Sequence, residues 1–355
     1  MTNPTLPIAV DAMGGDHAPA EIVAGALRAA GELGVRVALV GRSAEVGREL
    51  ERAADGDPAA RGRIADGTVA VVDAAEVIEM GEHPANAVRA KKDSSVVRAC
   101  QLVADGTAAA AVSAGNSGAV LAAALFTVRR IRGIARPAIG TVLPSAEGQC
   151  FVLDVGANAD CRPEWLAQFG LMGSVYAQRM LGIERPRVAL LSNGEEEGKG
   201  SALVQAALPL LAAAPLNFTG NVEGKDIFRS AADVVVTDGF TGNVALKTAE
   251  GVAEFLFAAI AAQARASVQG RVGGALLKPK LRPVRDKVDY RKTGGALLLG
   301  VDGEVVIAHG RSDAEAIVNA IRVARDAAAR DVHGTISREL GGVALPAEEE
   351  TAVTR

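Results

Sequence analysis

Residues 106–128 read GTAAAAVSAGNSGAVLAAALFTV and contain no charged side chain. A membrane span needs about 20 predominantly apolar residues in one run. Here Ser113, Gly115, Asn116, Ser117 and Gly118 break the run in its middle. A buried strand, a glycine turn and a buried helix account for the stretch better, and that choice decides the fold. The same unit recurs on both sides. Ile8 to Val10 open into DAMGGDHAP, after which Ile22, Val23, Ala26, Leu27 and Ala30 mark one face of a helix. Residues 35–41 (VRVALVG) and 68–73 (TVAVVD) read as strands. CFVLDV (150–155) precedes GANAD and a helix over 164–181; RVALLS (187–192) precedes NGEEEGKG and a helix near 202–211. DVVVT (233–237) precedes DGFTGN and a long helix over 244–266.

Near the C-terminus the rhythm changes. LLLGVDGEVVIAHG (297–310) reads as two strands joined at Asp302-Gly303, a hairpin signal. Ser312 and Glu315 then suggest a capping box before a helix reaching about residue 329. No repeat or low-complexity linker divides the chain. The expectation is one α/β/α unit over 1–340, three-layered and Rossmann-like, with a mostly parallel central sheet and a C-terminal hairpin. Residues 341–355 read as a flexible tail.

The chain has 355 residues, 49% of them hydrophobic and 23% charged, enough to bury a core and excluding disorder throughout. A net charge of −4 and 3% aromatics argue against a nucleic-acid partner. Cys100, Cys150 and Cys161 are too scattered for a disulfide framework or a metal site, and His17, His83, His309 and His333 lack ligand spacing. No metal and no cofactor are therefore expected, and the compartment reads as reducing and cytoplasmic. The N-terminus lacks the basic start and apolar run of a signal peptide.

Five strand ends run into polar glycine turns: DAMGGD (11–16), SAGNSG (113–118), DVGAN (154–158), SNGEEEGKG (192–200) and DGFTGN (238–243). Ligands of open α/β sheets bind outside the carboxyl ends of the strands, so these turns are expected to line one crevice. Glycine lets backbone approach a ligand, and the N–H groups of a following helix favour an anion. Candidate binding positions are Gly14, Gly15, Ser113, Gly115, Asn116, Ser117, Gly118, Asn158, Asn193, Asp238, Gly239, Gly242 and Lys247. Asn116 and Asn243 either satisfy turn backbone or donate an amide proton to a ligand. Lys199 either reaches the crevice or pairs with Glu195 or Glu197. His17 and Asp16 stand where a proton on the ligand would be adjusted, or simply at a helix start. No GxxxxGK[ST], GxSxG elbow or post-strand GxGxxG occurs, which argues against a P-loop, an esterase elbow and a dinucleotide fingerprint.

VDAMGGDHAP (10–19), SAGNSGA (113–119), LDVGAN (153–158), SNGEEEGKG (192–200), DGFTGNVALK (238–247) and HGRSDAEAI (309–317) together resemble the bacterial phosphate acyltransferase family, PlsX. The resemblance runs over residues 6–335. It implies a fold akin to isocitrate and isopropylmalate dehydrogenases and phosphate acetyltransferases. It also implies transfer of a long-chain acyl group from acyl carrier protein to inorganic phosphate, giving acyl phosphate for phosphatidic acid and phospholipid synthesis. A homodimer, peripheral attachment to the inner face of the cytoplasmic membrane and a downstream glycerol-3-phosphate acyltransferase partner follow from it as expectations. Phosphate is already a nucleophile, so the protein's task is to bind a dianion, align it and stabilise an oxyanion. Asn116, Ser117 and Asn243 are expected to hold phosphate or the oxyanion, Lys199 to neutralise charge, and His17 or Asp16 to adjust a proton.

Residues 252–292 stand apart. Between 278 and 292 there are seven basic residues and two acids, with Leu276, Leu277, Leu281 and Val284 interleaved. Leu276, Leu277, Lys278, Lys280, Leu281 and Arg282 would meet an anionic membrane surface or the acidic carrier protein. Pro279 and Pro283 are expected to limit continuous helix, leaving a helix-turn-helix projection. The competing functions are a short-chain phosphate acetyltransferase using a coenzyme A thioester, a dehydrogenase of the isocitrate type, and a non-catalytic membrane scaffold.

Overall fold

In the computed structural model, residues 6–288 and 290–340 are described. The expected tail at 341–355 lies outside them. The strands are β1 (Ile8–Asp11), β2 (Val37–Gly41), β3 (Val69–Asp73), β4 (Ala110–Ser113), β5 (Ala138–Ser145), β6 (Gly148–Leu153), β7 (Arg187–Leu191), β8 (Asn217–Val222), β9 (Val234–Val236), β10 (Ala296–Leu299) and β11 (Glu304–Ile307). Among the described residues they form one sheet in the order β3-β2-β1-β4-β11-β10-β5-β6-β9-β7-β8.

Side chains of successive strand residues leave opposite faces, so each strand feeds two cores. Val10 and Leu39 join Ile22 and Ile317, from helices Ala20–Leu33 and Ala314–Ala329, on one face. Ala9 and Val40 join Cys100 and Ala123, from helices Ser95–Ala104 and Ser117–Thr127, on the other. Three layers result. The 106–128 stretch is indeed strand β4, a glycine turn and helix Ser117–Thr127, and the 297–310 hairpin is β10 paired antiparallel with β11.

The parallel strands of the sheet fall into two blocks. β3, β2, β1, β4 and β11 run parallel. β6, β9, β7 and β8 also run parallel to each other. Between them β10 and β5 are antiparallel to each other and to their outer neighbours, so the two parallel blocks point in opposite senses. The blocks are also offset: Leu153 at the end of β6 pairs with Gly140, Gly140 with Leu297, Leu297 with Val306 and Val306 with Val112, so the carboxyl ends of the two blocks meet at one level. Asp16, Ser117, Gly156 and Asn243 bring four of the five turns to one cavity, and SNGEEEGKG alone adds no lining residue among those described.

Two local expectations also change. Ser312 is not the helix cap: Asp313 is, its Oδ1 accepting from Ala316 N at 2.9 Å, while the Ser312 hydroxyl donates to His309 O at 2.6 Å. The projection is a helical hairpin, Gly239–Arg265 then Val268–Val288, but Pro279 and Pro283 lie inside its second helix rather than ending it. That helix is solvent-exposed over most of its length, so water can serve carbonyls that proline leaves without a donor. Leu276 and Leu277 are exposed, as are Phe255, Leu256 and Ile260 on the first helix, whereas Leu281 is half-buried. Among the described residues no helix is long and apolar enough to cross a membrane.

Candidate functional site

Two buried aspartates organise the turns. At the end of β1, Asp11 accepts the Ser113 hydroxyl on Oδ2 at 2.6 Å and Met13 N on Oδ1 at 3.1 Å. The Ser113 oxygen in turn accepts Gly115 N at 3.1 Å. Gly14 is required by this closeness, because a Cβ there would stand 2.6 Å from Asp11 Oδ2 and 2.8 Å from Gly115 N. Asp16 N donates to Gly310 O at 2.8 Å and Ala308 N to Ser113 O at 2.8 Å. The turns after β1, β4 and β11 are thus stitched into one surface.

At the end of β6, Asp154 does the same for the other block. Its Oδ1 accepts from Ile139 N, Gly156 N and Ala157 N, and its Oδ2 from the Asn158 backbone N–H and side-chain amide. Gly239 N donates to Asn158 O at 2.7 Å, and a Cβ on Gly242 would sit 1.9 Å from Asp154 O. Asn243 Nδ2 donates to Val155 O at 3.0 Å. DVGAN and DGFTGN are locked together in this way. Burial pushes both carboxyls above the usual carboxylate range, against the hydrogen bonds that pull them down.

A cavity of about 470 Å³ lies over the β5–β10–β11 seam. One part of its wall is polar: Asp16, Ser117, Asn243, Lys247, His309 and Arg311. Val142, Leu143 and Pro144 of β5, with Val155 and Leu246, make another part apolar. Lys247 is held by Glu250 at 2.8 Å, and Lys287 reaches the wall from the second hairpin helix. His309 is kept below its ordinary value first by burial and then by the Lys247 ammonium, so it is neutral at pH 7. Helix Ser117–Thr127 begins at this wall, and its geometry leaves the N–H groups of Ser117 and Gly118 without intrahelical acceptors. The whole suits an anion bound beside an apolar chain.

Of the candidates, Asp16, Ser117, Asn243 and Lys247 meet in the cavity wall. Ser113 and Gly14 lie beneath it as the Asp11 node. Asn116 is spent on structure: its Oδ1 caps Ala119 N and its Nδ2 donates to Met80 O at 2.8 Å. Asn158 ties Pro137 O to Asp154, and Asp238 caps the first hairpin helix through Thr241. Asn193 accepts Gly200 N inside its own turn. Lys199 and His17 are exposed and line no part of the cavity, and Lys199 makes no ion pair among the described residues. His309 and Arg311 were not singled out from sequence, although HGRSD follows the end of β11 as the other turns follow theirs. Among the described residues no cluster suited to a metal ion occurs.

By architecture this is a phosphotransacylase-like and dehydrogenase-like α/β fold. A phosphotransacetylase from Streptococcus pyogenes superposes with a TM-score of 0.62 at 16% identity, covering 92% of this chain and 94% of that one. A putative 4-hydroxythreonine-4-phosphate dehydrogenase from Salmonella typhimurium gives 0.51 at 17%, covering 91% and 99%. The model of the fatty acid synthesis protein family matches residues 6–335. A phosphate acyltransferase from Dictyoglomus turgidum is 48% identical over 338 residues, 95% of this chain and 98% of that protein. One from Desulfitobacterium hafniense is 52% identical over 334 residues, 94% and 97% of the two. The chain belongs to this phosphate acyltransferase family and is an acyltransferase.

Proposed function

We propose that this chain moves a long-chain acyl group from the thioester of acyl carrier protein to inorganic phosphate, releasing acyl phosphate and free carrier thiol for phospholipid synthesis. The observation that carries the reading is the divided cavity wall. Cations and helix-start amides (Lys247, Ser117, Gly118) suit a phosphate dianion, and the β5 wall with Leu246 suits a hydrocarbon chain. The reaction needs no enzyme nucleophile. A phosphate oxygen attacks the thioester carbon, the carbonyl electrons move to oxygen, and the C–S pair leaves with sulfur. Alignment and anion stabilisation are what the wall supplies. Asp16, which lines the polar wall, would take part in the phosphate proton's transfer. Lys199 would contribute only if the 192–200 turn moved to the cavity. A loss of ~10² in turnover in Lys199→Ala requires that approach, and near-normal turnover removes the residue from the set.

The exposed apolar residues of the hairpin and the basic run beside them support attachment to an anionic membrane from the cytoplasmic side, docking of the acidic carrier protein, and pairing of two chains along the hairpin. A glycerol-3-phosphate acyltransferase would take the product. The deciding experiment measures thiol release from palmitoyl-acyl carrier protein with and without phosphate, trapping acyl phosphate as hydroxamate. Phosphate-dependent release with matching hydroxamate supports the reading. Turnover of acetyl-coenzyme A alone would favour a short-chain phosphate acetyltransferase.

A further inference from the structure

We propose that His309 is a catalytic residue of the acyl transfer, a neutral Nε2–H donor to the oxyanion that forms when phosphate adds to the thioester carbonyl. The inference rests on the proposed reaction and adds to it a residue and a role.

The geometry begins with the sheet. Ile307 is in register with Ser113, and Ala308 N donates to Ser113 O at 2.8 Å. β11 therefore delivers the next residue, His309, beside the SAGNSG turn and into the cavity wall. The turn that carries it is tied down from three sides. Ser312 donates to His309 O from its backbone N at 2.9 Å and from its hydroxyl at 2.6 Å. Gly310 O accepts Asp16 N at 2.8 Å. Arg311 N then donates to His309 Nδ1 at 3.1 Å. A ring nitrogen that accepts a hydrogen bond carries no proton, so in the neutral ring the proton resides on Nε2. The ring is oriented, its tautomer is set by backbone, and it lines the same wall as Ser117 and Lys247.

The charges around it keep the ring neutral. Lys247 from the first hairpin helix and Arg311 from its own turn oppose protonation, as does burial, while Glu250 and Asp16 favour it. Lys287 of the second hairpin helix lines the same wall. A neutral imidazole with Nε2–H fixed cannot take the phosphate proton at that nitrogen. Its task is donation, to an oxygen whose negative charge appears only after the P–O–C bond begins to form. When the C–S bond breaks and the carbonyl reforms, the hydrogen bond relaxes without net proton transfer. The phosphate proton passes to the departing sulfur or to solvent.

The test compares His309→Ala, His309→Gln and wild type, with palmitoyl-acyl carrier protein and palmitoyl-coenzyme A as parallel donors. Turnover is read from about pH 6 to 9, with thermal midpoints recorded for all three. Loss of one oxyanion donor costs ~10²–10³ in kcat. His309→Ala should fall by that order with KM for phosphate little changed, and His309→Gln, whose Nε2 amide can replace the donor, should recover at least about tenfold. The wild-type pH profile should show no limb that His309→Ala abolishes. Near-normal turnover in His309→Ala overturns the proposal. So does a folded Gln variant no better than Ala, or an acid limb lost on substitution, which would mark a general base. Turnover of the coenzyme A thioester but not the carrier thioester sinks the carrier-protein donor instead, and the ranking of the variants is read on the substrate that works.

Discussion

Ser113 donates its hydroxyl to Asp11 at 2.6 Å across a sequence separation of 102 residues, and both side chains are buried. This bond joins the ends of β1 and β4 beneath the polar part of the cavity wall, so a change in the Asp11 charge is a change in folding stability. Burial, the largest influence, holds the Asp11 carboxyl above its unfolded value. Its stabilising contribution is then full below the unfolded value and is lost as pH rises through the folded one. Asp11→Asn should therefore gain on wild type in urea midpoint as pH rises from about 4, the ordinary carboxylate value. Each unit of separation is worth about 1.4 kcal/mol. A difference between the two proteins that is constant with pH would refute the assignment.

Gly242 and Gly251 make a matched pair on the first hairpin helix. A Cβ at 242 would meet Asp154 O at 1.9 Å, whereas nothing lies within 4 Å at 251. Gly242→Ala should cost about 1–3 kcal/mol through forced backbone movement and lower turnover with it. Gly251→Ala should stabilise by about 0.5–1 kcal/mol through helix propensity. Chemical denaturation of both variants checks the pair, and equal effects would mean the Gly242 contact is not tight.

Asn243 holds Val155 O with its amide and lines the cavity. Asn243→Asp replaces that donor with an oxygen facing a carbonyl and adds negative charge where phosphate is proposed to bind. It should lose more activity than Asn243→Ala, which is expected to fall by ~10². Steady-state kinetics at saturating phosphate rank the two. An Asp variant more active than the Ala variant would place the amide outside the anion's reach.

His333 secures the last described helix, Val332–Leu340, to the sheet. Its Nδ1 lies 3.0 Å from Glu304 Oε1, on a carboxylate that is almost wholly buried. The hydrogen bond to Glu304 raises the imidazole above its ordinary value, so the contribution is present below that value and fades as pH rises through the folded one. His333→Gln should destabilise by about 1–3 kcal/mol at pH 6 and by less at pH 8.5. Thermal unfolding across that range is the measurement, and a loss that grows with pH would contradict the pairing.

Much of this arrangement is legible in sequence because strand–turn–helix units announce themselves locally. Val10, Val112 and Val236 each end an apolar run before a glycine turn, and the strands are where that pattern puts them. β5 carries no such mark. Its AIGTVLPS includes Gly140 and Pro144 and is followed by a tight return into β6, not by a helix. Without it the opposite sense of the two blocks is invisible, although four of the five turns do meet in the cavity wall and only SNGEEEGKG lies away from it. The site was legible to the same extent. Ser117, Asn243 and Lys247 follow from turn chemistry, but Asn116 and Asn158 share that chemistry and spend it on backbone. Only the three-dimensional partners Met80 and Pro137 distinguish them. His309 sits one residue past Ala308, where β11's pairing with β4, a contact between distant segments, supplies its meaning.

The antiparallel seam gives the molecule something a fully parallel sheet would lack. Each block carries its own buried aspartate node, and the cavity spans from one to the other over β5 and β10. The separation between the two nodes is fixed by neither node. It is fixed by the pitch and twist of two strands whose packing depends on contacts such as Gly140 beneath the Phe151 ring, where a Cβ would stand 2.0 Å from Cζ. The pocket is therefore a caliper, with one jaw made by the two ends of the chain, the other by its middle, and a setting held by the beam between them. A bulkier residue in that beam would reset the gap for every substrate at once, without touching one atom that meets the ligand.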